Sequence, residues 1–272
     1  MHQWFWQTEQ DNPYLTCHLL ARWPHGFFTR QSWPQVPQQL ARTLHPEPNV
    51  FRVKQVHGNQ VLSTTEVQHH SQQDVSGEVN FPDADGLFSQ QPQQAVWVCS
   101  ADCTPILIAD EHTGQVAAVH AGWRSTAARI SPVAIARLQA QGSRLADLRV
   151  AMGPAIAGEV YQVTTEVAVA VGKSLLDPEA LAVLNQDDPV QVDQAILEQL
   201  MDLPDPPILA DEQAGRVRLD VRQVNALQLV QLGLEPKQIA ISPHCTYQDP
   251  ERFFSYRRDG LKQVQWSGII SS

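Results

Sequence analysis

The stretch Gln115-Val-Ala-Ala-Val-His120-Ala-Gly122-Trp-Arg124 decides the architecture. Gln115 to His120 reads as a short apolar strand. Gly122 interrupts it, and a helical spacing follows through Ala127, Ile130, Ala134 and Leu138. Pro132 falls inside that spacing, so it either kinks the helix or marks its first turn, with Ser131 as the cap. Working outward, Val50 to Val56, Ala95 to Cys99, Leu148 to Met152 and Gln238 to Ser242 read as further strands. Asp220 caps a helix through Val224, Leu227 and Val230, which Gly233 closes. Helices and strands mixed in this order favour a layered architecture. Asp187 to Gly215 is weakly patterned and carries Pro189, Pro204, Pro206 and Pro207. Within it, Ile196, Leu197, Leu200 and Leu203 predict a short amphipathic helix, so it reads as an excursion of one domain.

A chain of 272 residues that is 43% hydrophobic can bury about three quarters of its unfolded surface, which argues against disorder. No apolar run reaches the roughly 18 residues of a membrane helix. The start, Met1-His-Gln-Trp-Phe-Trp6, has no basic region followed by an apolar core, so a cytoplasmic protein is expected. Nineteen Lys and Arg stand against 29 Asp and Glu, a net charge of −10 with no basic run, which argues against nucleic acid as a partner. Any anionic substrate must therefore be met by a few local arginines. Four cysteines in this length are not a disulfide framework. The glutamine clusters Gln90-Gln91-Pro92-Gln93-Gln94 and Gln38-Gln39 read as loop tips.

Three segments place a metal-competent side chain at a strand end, where a scaffold exposes side chains to a cleft. They are Lys54-Gln-Val-His57-Gly58, Ser100-Ala-Asp102-Cys103-Thr-Pro105 and Val119-His120-Ala-Gly-Trp-Arg124. One thiolate and two imidazoles make a three-ligand zinc site whose fourth position stays open. The spacing equally allows a buried thiol and two surface histidines, because no short-range zinc spacing is present. Arg124, behind a small-residue turn at a helix start, offers an anion seat. Arg257-Arg258 after Phe253-Phe254-Ser255-Tyr256 invites the same reading. Asp83-Ala-Asp85-Gly86 resembles half a calcium loop but lacks the later acidic ligands, and reads as an Asp-stabilised turn. His244-Cys245 follows the last strand and can reach a cleft, whereas His69-His70 reads as a solvated polar loop.

Six motifs occur in order: Gln55-Val-His57-Gly58, Asp83-Ala-Asp85-Gly86, Ala101-Asp102-Cys103, His120-Ala-Gly-Trp-Arg124, Gly153-Pro154-Ala155-Ile156 and Phe254-Ser-Tyr-Arg257-Arg258. By these the chain resembles the YfiH-type family, long filed as multicopper polyphenol oxidase or laccase-domain proteins. The resemblance implies one α+β domain over residues 1–272, a four-layer α/β/β/α sandwich with mixed sheets. It further implies purine nucleoside phosphorylase and adenosine deaminase activity, with purine nucleosides and phosphate as partners, and Zn2+ held by His57, Cys103 and His120. Two departures stand out. The family's Gly-Gly after an arginine and its Ser-x-Asn-x-Gly stretch are missing after Arg30, so no role is carried over to Arg30. A cysteine common after Gly-Pro-x-Ile is replaced within Ala157-Gly158-Glu159-Val160-Tyr161, so no thiol is expected there.

As a phosphorylase, the protein is expected to bind phosphate through Arg124 while the metal polarises phosphate or base. As a deaminase, it is expected to activate water at the open metal position, with Asp102 shuttling the proton. Catalytic roles thus fall on Asp102, Cys103 and Arg124. A second reading uses Cys103 as nucleophile and His120 as base in a hydrolase that edits cell-wall precursors. The third is Cu2+ oxidation of phenols with Met152 as an axial ligand. A multinuclear copper cluster needs many clustered imidazoles, and ten histidines without a His-x-His pair fit it poorly.

Overall fold

Two six-stranded sheets face each other across an apolar core in the computed structural model, which describes residues 2–9, 11–73, 79–176 and 189–272. The first sheet runs, edge to edge, Trp4–Glu9, Asn12–Cys17, His25–Phe28, Gln265–Ile270, Gln94–Ser100 and Asn49–Arg52. The second runs Ile239–Ile241, Leu148–Met152, Thr104–Asp110, Val116–Ala121, Gly86–Phe88 and Val61–Ser63. Both are mixed. Asn49–Arg52 lies parallel to Gln94–Ser100, and Ile239–Ile241 parallel to Leu148–Met152, while most other pairs are antiparallel.

The strand pattern explains the layers. Alternate residues of a strand point to opposite faces. From the first sheet Leu15, Phe27, Val96, Val98 and Ile269 meet Leu87, Leu107, Ala109, Ala118 and Ala151 of the second. The remaining faces carry helices. Ile106, Ile108, Val119 and Val150 pack on Ile130, Ala134, Ile135 and Leu138 of helix Ile130–Gln139 and on Leu229 of helix Val221–Leu232. Across the molecule, Tyr14, Phe28, Trp97 and Ile270 cover Leu40 and Ala41 of helix Pro37–Leu44. Each such Leu, Ile, Val or Phe side chain, fully buried, contributes about 1.5–3 kcal/mol. The result is one α+β domain in the expected α/β/β/α order.

Several elements differ from the sequence reading, each for a visible reason. The helical spacing after Gly122 is two helices, Trp123–Ala127 and Ile130–Gln139, separated where Arg129 adopts a left-handed φ of 59°. Pro132 lies in the first turn of the second helix. Its cap position is Arg129 rather than Ser131, whose hydroxyl instead donates to Asn225 at 2.6 Å. The strand expected to reach Val56 stops at Arg52, and the chain leaves the sheet there. The predicted excursion contains helix Pro189–Met201, with Ile196 and Leu200 buried, and strand Ile208–Ala210; residues 187 and 188 lie outside the described residues. His69 and His70 end a helix, Thr64–His70, that Ser63 and Glu66 cap reciprocally. Gln94 is no loop tip. It is buried, and its side-chain amide oxygen accepts the N–H groups of Gln90 and Gln91 and the Thr64 hydroxyl.

Candidate metal centre

Sheet register builds the site. Thr104 lies opposite Ala121 and Pro105 opposite His120, so the next positions outward are Cys103 and Gly122. The absence of a side chain at Gly122 matters: a Cβ there would stand 3.0 Å from Cys103 Sγ and 3.2 Å from His57 Cδ2. His57 arrives from the loop after Asn49–Arg52, with its backbone in the left-handed region at φ 60°. That loop needs an anchor, and Asp85 supplies it. The Asp85 carboxylate accepts the backbone N–H groups of Val56 at 3.1 Å, His57 at 2.9 Å and Gly58 at 2.7 Å.

The predicted trio converges. One ligand atom from each of His57, Cys103 and His120 lies within 4.8 Å of the others. The two imidazoles meet edge to face, centroids 5.0 Å apart. Bonds of about 2.0–2.3 Å to a tetrahedral ion set these ligand atoms roughly 3.3–3.6 Å apart, so binding requires closure of up to about 1.5 Å. His120 is buried, Cys103 half-buried and His57 exposed, which leaves the centre open on the His57 side. Nδ1 of His120 faces Asp85 Oδ1 at 2.9 Å. An ionised carboxylate only accepts, so Nδ1 carries the hydrogen and Nε2 is left for a metal.

Electrostatics favour the Cys103 thiolate. Burial pushes the Asp85 carboxyl up, but the bonds from His120 and the backbone outweigh it and hold it below the usual range. Burial also raises the Cys103 thiol, yet His120 and His57 bring it down to about 6. For His120 burial lowers the pKa, while Cys103 and Asp85 raise it to about 9. The metal-free pair is thus a thiolate beside a protonated imidazole; the sulfur is in the form that binds metal, and an ion at Nε2 of His120 would displace the proton there.

The other expected residues gather less tightly. Asp102 is buried with φ 92°; its carboxylate accepts the Thr246 hydroxyl and the backbone N–H of Arg257, each at 2.7 Å. Arg124 is exposed, its guanidinium 4.3 Å above the Trp123 ring. The helix it starts has only five residues, so the helix end adds little to the anion seat. Arg257 stacks 4.7 Å over Tyr161 and donates to the Gln162 carbonyl at 2.7 Å. Burial pushes the Tyr161 phenol up to about 12; Cys103 and Asp102 add to this, while Arg257 and Arg124 oppose it. His244 packs on Trp6 instead, 5.1 Å between centroids. Met152 is fully buried in the cluster beneath helix Ile130–Gln139. A thiol does reach the Ala157 segment, from elsewhere: Cys245 Sγ accepts the Ala157 N–H at 3.2 Å. Arg30 donates to the Pro250 carbonyl and lies over Phe254.

Asp85 is the residue the sequence reading missed. Asp-x-Asp-Gly pointed to a turn stabilised by its own aspartate, whereas Asp85 stabilises a turn almost thirty residues earlier.

Fold and centre together define an α/β/β/α protein, built on two six-stranded sheets, with an open His–Cys–His group able to hold a metal. The chain belongs to the family described as multi-copper polyphenol oxidoreductase laccase, whose pattern matches residues 34–270. It is 51% identical over 268 residues to a Synechocystis protein named purine nucleoside phosphorylase slr1573, covering 98% of this chain and 97% of that one. It is 29% identical over 177 residues to a protein of an unknown prokaryotic organism named adenosine deaminase RL5, covering 65% of this chain and 58% of that one. The crystal structure of YlmD from Geobacillus stearothermophilus superposes with a TM-score of 0.77 at 25% identity, covering 98% of each chain. That of Bacillus licheniformis YfiH gives 0.74 at 21% identity over 98% of this chain and 99% of the other, a likeness of fold.

Proposed function

We propose that this chain is a zinc-dependent purine nucleoside enzyme, cleaving adenosine, inosine, guanosine and methylthioadenosine with phosphate and deaminating adenosine. One observation carries this: His57, Cys103 and His120 converge with an open side in a chain 51% identical, over nearly its full length, to a protein named purine nucleoside phosphorylase. One thiolate and two imidazoles suit zinc. Among the described residues this is the single group of three or more such ligands, which fits a one-metal centre better than a multinuclear copper cluster. Zn2+ bound there supplies Lewis acidity toward phosphate, purine or water.

The chain's own residues supply the rest. In phosphorolysis a phosphate oxygen bonds to C1′ of the ribose as the C1′–N9 bond breaks. The electron pair leaves with the purine, which gains a proton. Arg124 offsets the phosphate charge, and Asp102 beside Cys103 carries the proton. Thr246 and Arg257 occupy one lone pair on each Asp102 oxygen and leave others for substrate. In deamination water adds to C6, the C6–N bond breaks, and Asp102 passes the water proton to the departing ammonia. Asp85 keeps His120 in one tautomer throughout. Incubating the purified protein with the four nucleosides, with and without phosphate, and resolving the products tests this. Phosphate-dependent release of free base supports it; four unchanged nucleosides refute it.

A second reading has its own observation. Cys103, His120 and Asp85 line up as thiolate, imidazole and carboxylate. As a hydrolase of amidated cell-wall precursors, Cys103 would attack the carbonyl, the amine would leave with the His120 proton, and water would release the acid. Activity that survives complete chelation favours this reading over the first.

A further inference from the structure

We propose that Arg257, Tyr161 and Arg124 form an oxyanion subsite at the rim of the His57–Cys103–His120 centre, and that it takes inorganic phosphate. The inference rests on the nucleoside reading above and adds Arg257 and Tyr161 to it.

Arg257 is tied to the centre through its backbone and held by its side chain. Its N–H donates to the carboxylate of Asp102, the residue before Cys103, at 2.7 Å. Its guanidinium lies 4.7 Å over the Tyr161 ring, and one Nη1 hydrogen goes to the Gln162 carbonyl at 2.7 Å. Stacking and one hydrogen bond thus fix the plane, while most of its five N–H donors stay available. A guanidinium fixed this way loses little side-chain freedom when an oxyanion docks.

Arg124 lies two residues after Gly122, where a Cβ would stand 3.0 Å from Cys103 Sγ, and its guanidinium is braced on the Trp123 ring at 4.3 Å. Among the described residues neither Arg124 nor Arg257 forms an ion pair. Arg257 lies over Tyr161, and the Tyr161 phenol feels the charge of Arg257, Arg124 and Cys103. At neutral pH a phenol is an O–H donor. Two guanidiniums without an ion pair among the described residues, and one hydroxyl, match the charge and acceptors of a doubly charged phosphate.

Calorimetric titration with inorganic phosphate at constant ionic strength, without nucleoside, tests the subsite. Arg257→Ala should weaken phosphate binding about 10- to 100-fold, the loss of a charge-assisted contact. Arg257→Lys should recover part of it, and Tyr161→Phe should lose about 2- to 10-fold, as for a neutral hydrogen bond. Adding Arg124→Ala to Arg257→Ala should abolish measurable binding. If Arg257→Ala melts early, Arg257→Gln, which keeps a donor for the Gln162 carbonyl, replaces it. Wild-type phosphate affinity in a folded Arg257→Ala or Arg257→Gln variant overturns the proposal, as does a wild-type protein that binds no phosphate. The two readings fail separately. Nucleoside cleavage whose phosphate KM ignores Arg257 removes the subsite and keeps the enzyme. Phosphate binding through Arg257 without any nucleoside cleavage keeps the subsite and removes the enzyme.

Discussion

Asp85 Oδ1 lies 2.9 Å from Nδ1 of His120 and, at the same distance, from the backbone N–H of His57. One buried carboxylate oxygen thereby sets the ring of one histidine and the backbone of the other. The centre is braced from behind by a group that touches no ligand position.

Asp85→Asn should expose that dependence. The carboxamide offers one accepting oxygen where the carboxylate receives four N–H groups. Metal affinity, measured by competition with a chromophoric chelator, should fall about 10- to 100-fold, the usual cost of losing such a partner. Unchanged affinity would show that His57 and His120 hold their positions unaided.

Gly122→Ala should empty the centre and spare the fold. The backbone at Gly122 has φ −75°, which alanine adopts freely, so the conflict is the new methyl, 3.0 Å from Cys103 Sγ and 3.2 Å from His57 Cδ2. The sulfur or the His57 ring must give way. Metal stoichiometry should drop well below one per chain with near-wild-type thermal stability. A fully loaded variant would mean that the cradle is looser than its distances indicate.

Chelation should inactivate without unfolding. None of His57, Cys103 and His120 belongs to the four apolar clusters that hold the layers together. Removing a bound ion lowers the thermal midpoint by mass action, but the chain should keep its near-ultraviolet dichroism at room temperature. Loss of that signal on chelation would make the metal a structural one.

Acid sensitivity should trace partly to His25, away from the centre. Its Nε2 accepts the Cys17 N–H at 2.8 Å and its Nδ1 donates to the Trp23 carbonyl at 2.9 Å, so the ring is buried and neutral. Burial lowers its pKa to about 4, against a partial rise from the Trp23 bond, while the unfolded chain titrates at about 6.5. Between these values the unfolded state binds the extra proton. The stabilisation is therefore complete above pH 6.5 and fades as pH falls through 4, by up to about 3 kcal/mol. Denaturant unfolding of His25→Gln at pH 7 and pH 4 should show a smaller difference than wild type. An equal difference would place the acid sensitivity elsewhere.

Elements whose local signals agree with their tertiary role were legible. Leu148–Met152 is a strand from first to last residue, and Asp220 and Gly233 bound their helix as expected. Thr104–Asp110, a strand absent from the sequence reading, carries Pro105, a residue that sheet interiors avoid. The ladder tolerates it: pairing with Leu148–Met152 begins only at Ile106, so on that side no N–H is required of Pro105. The left-handed residue Arg129 leaves no trace in an apolar spacing, which is why two helices read as one. The trio was legible because its ligands sit in short motifs at strand ends. Asp85 was not, because its role depends on a contact with residues 56–58 that only the sheet arrangement creates.

The most direct test of a metal-dependent nucleoside enzyme is the rate of free base released from inosine and phosphate by one preparation. It is measured as purified, after exhaustive chelation, and after one equivalent of Zn2+ is restored. Base release should vanish on chelation and return with zinc in the wild type, and should not return in Cys103→Ser. Base release that persists without metal, or none from the zinc-loaded protein, would contradict the assignment of this centre.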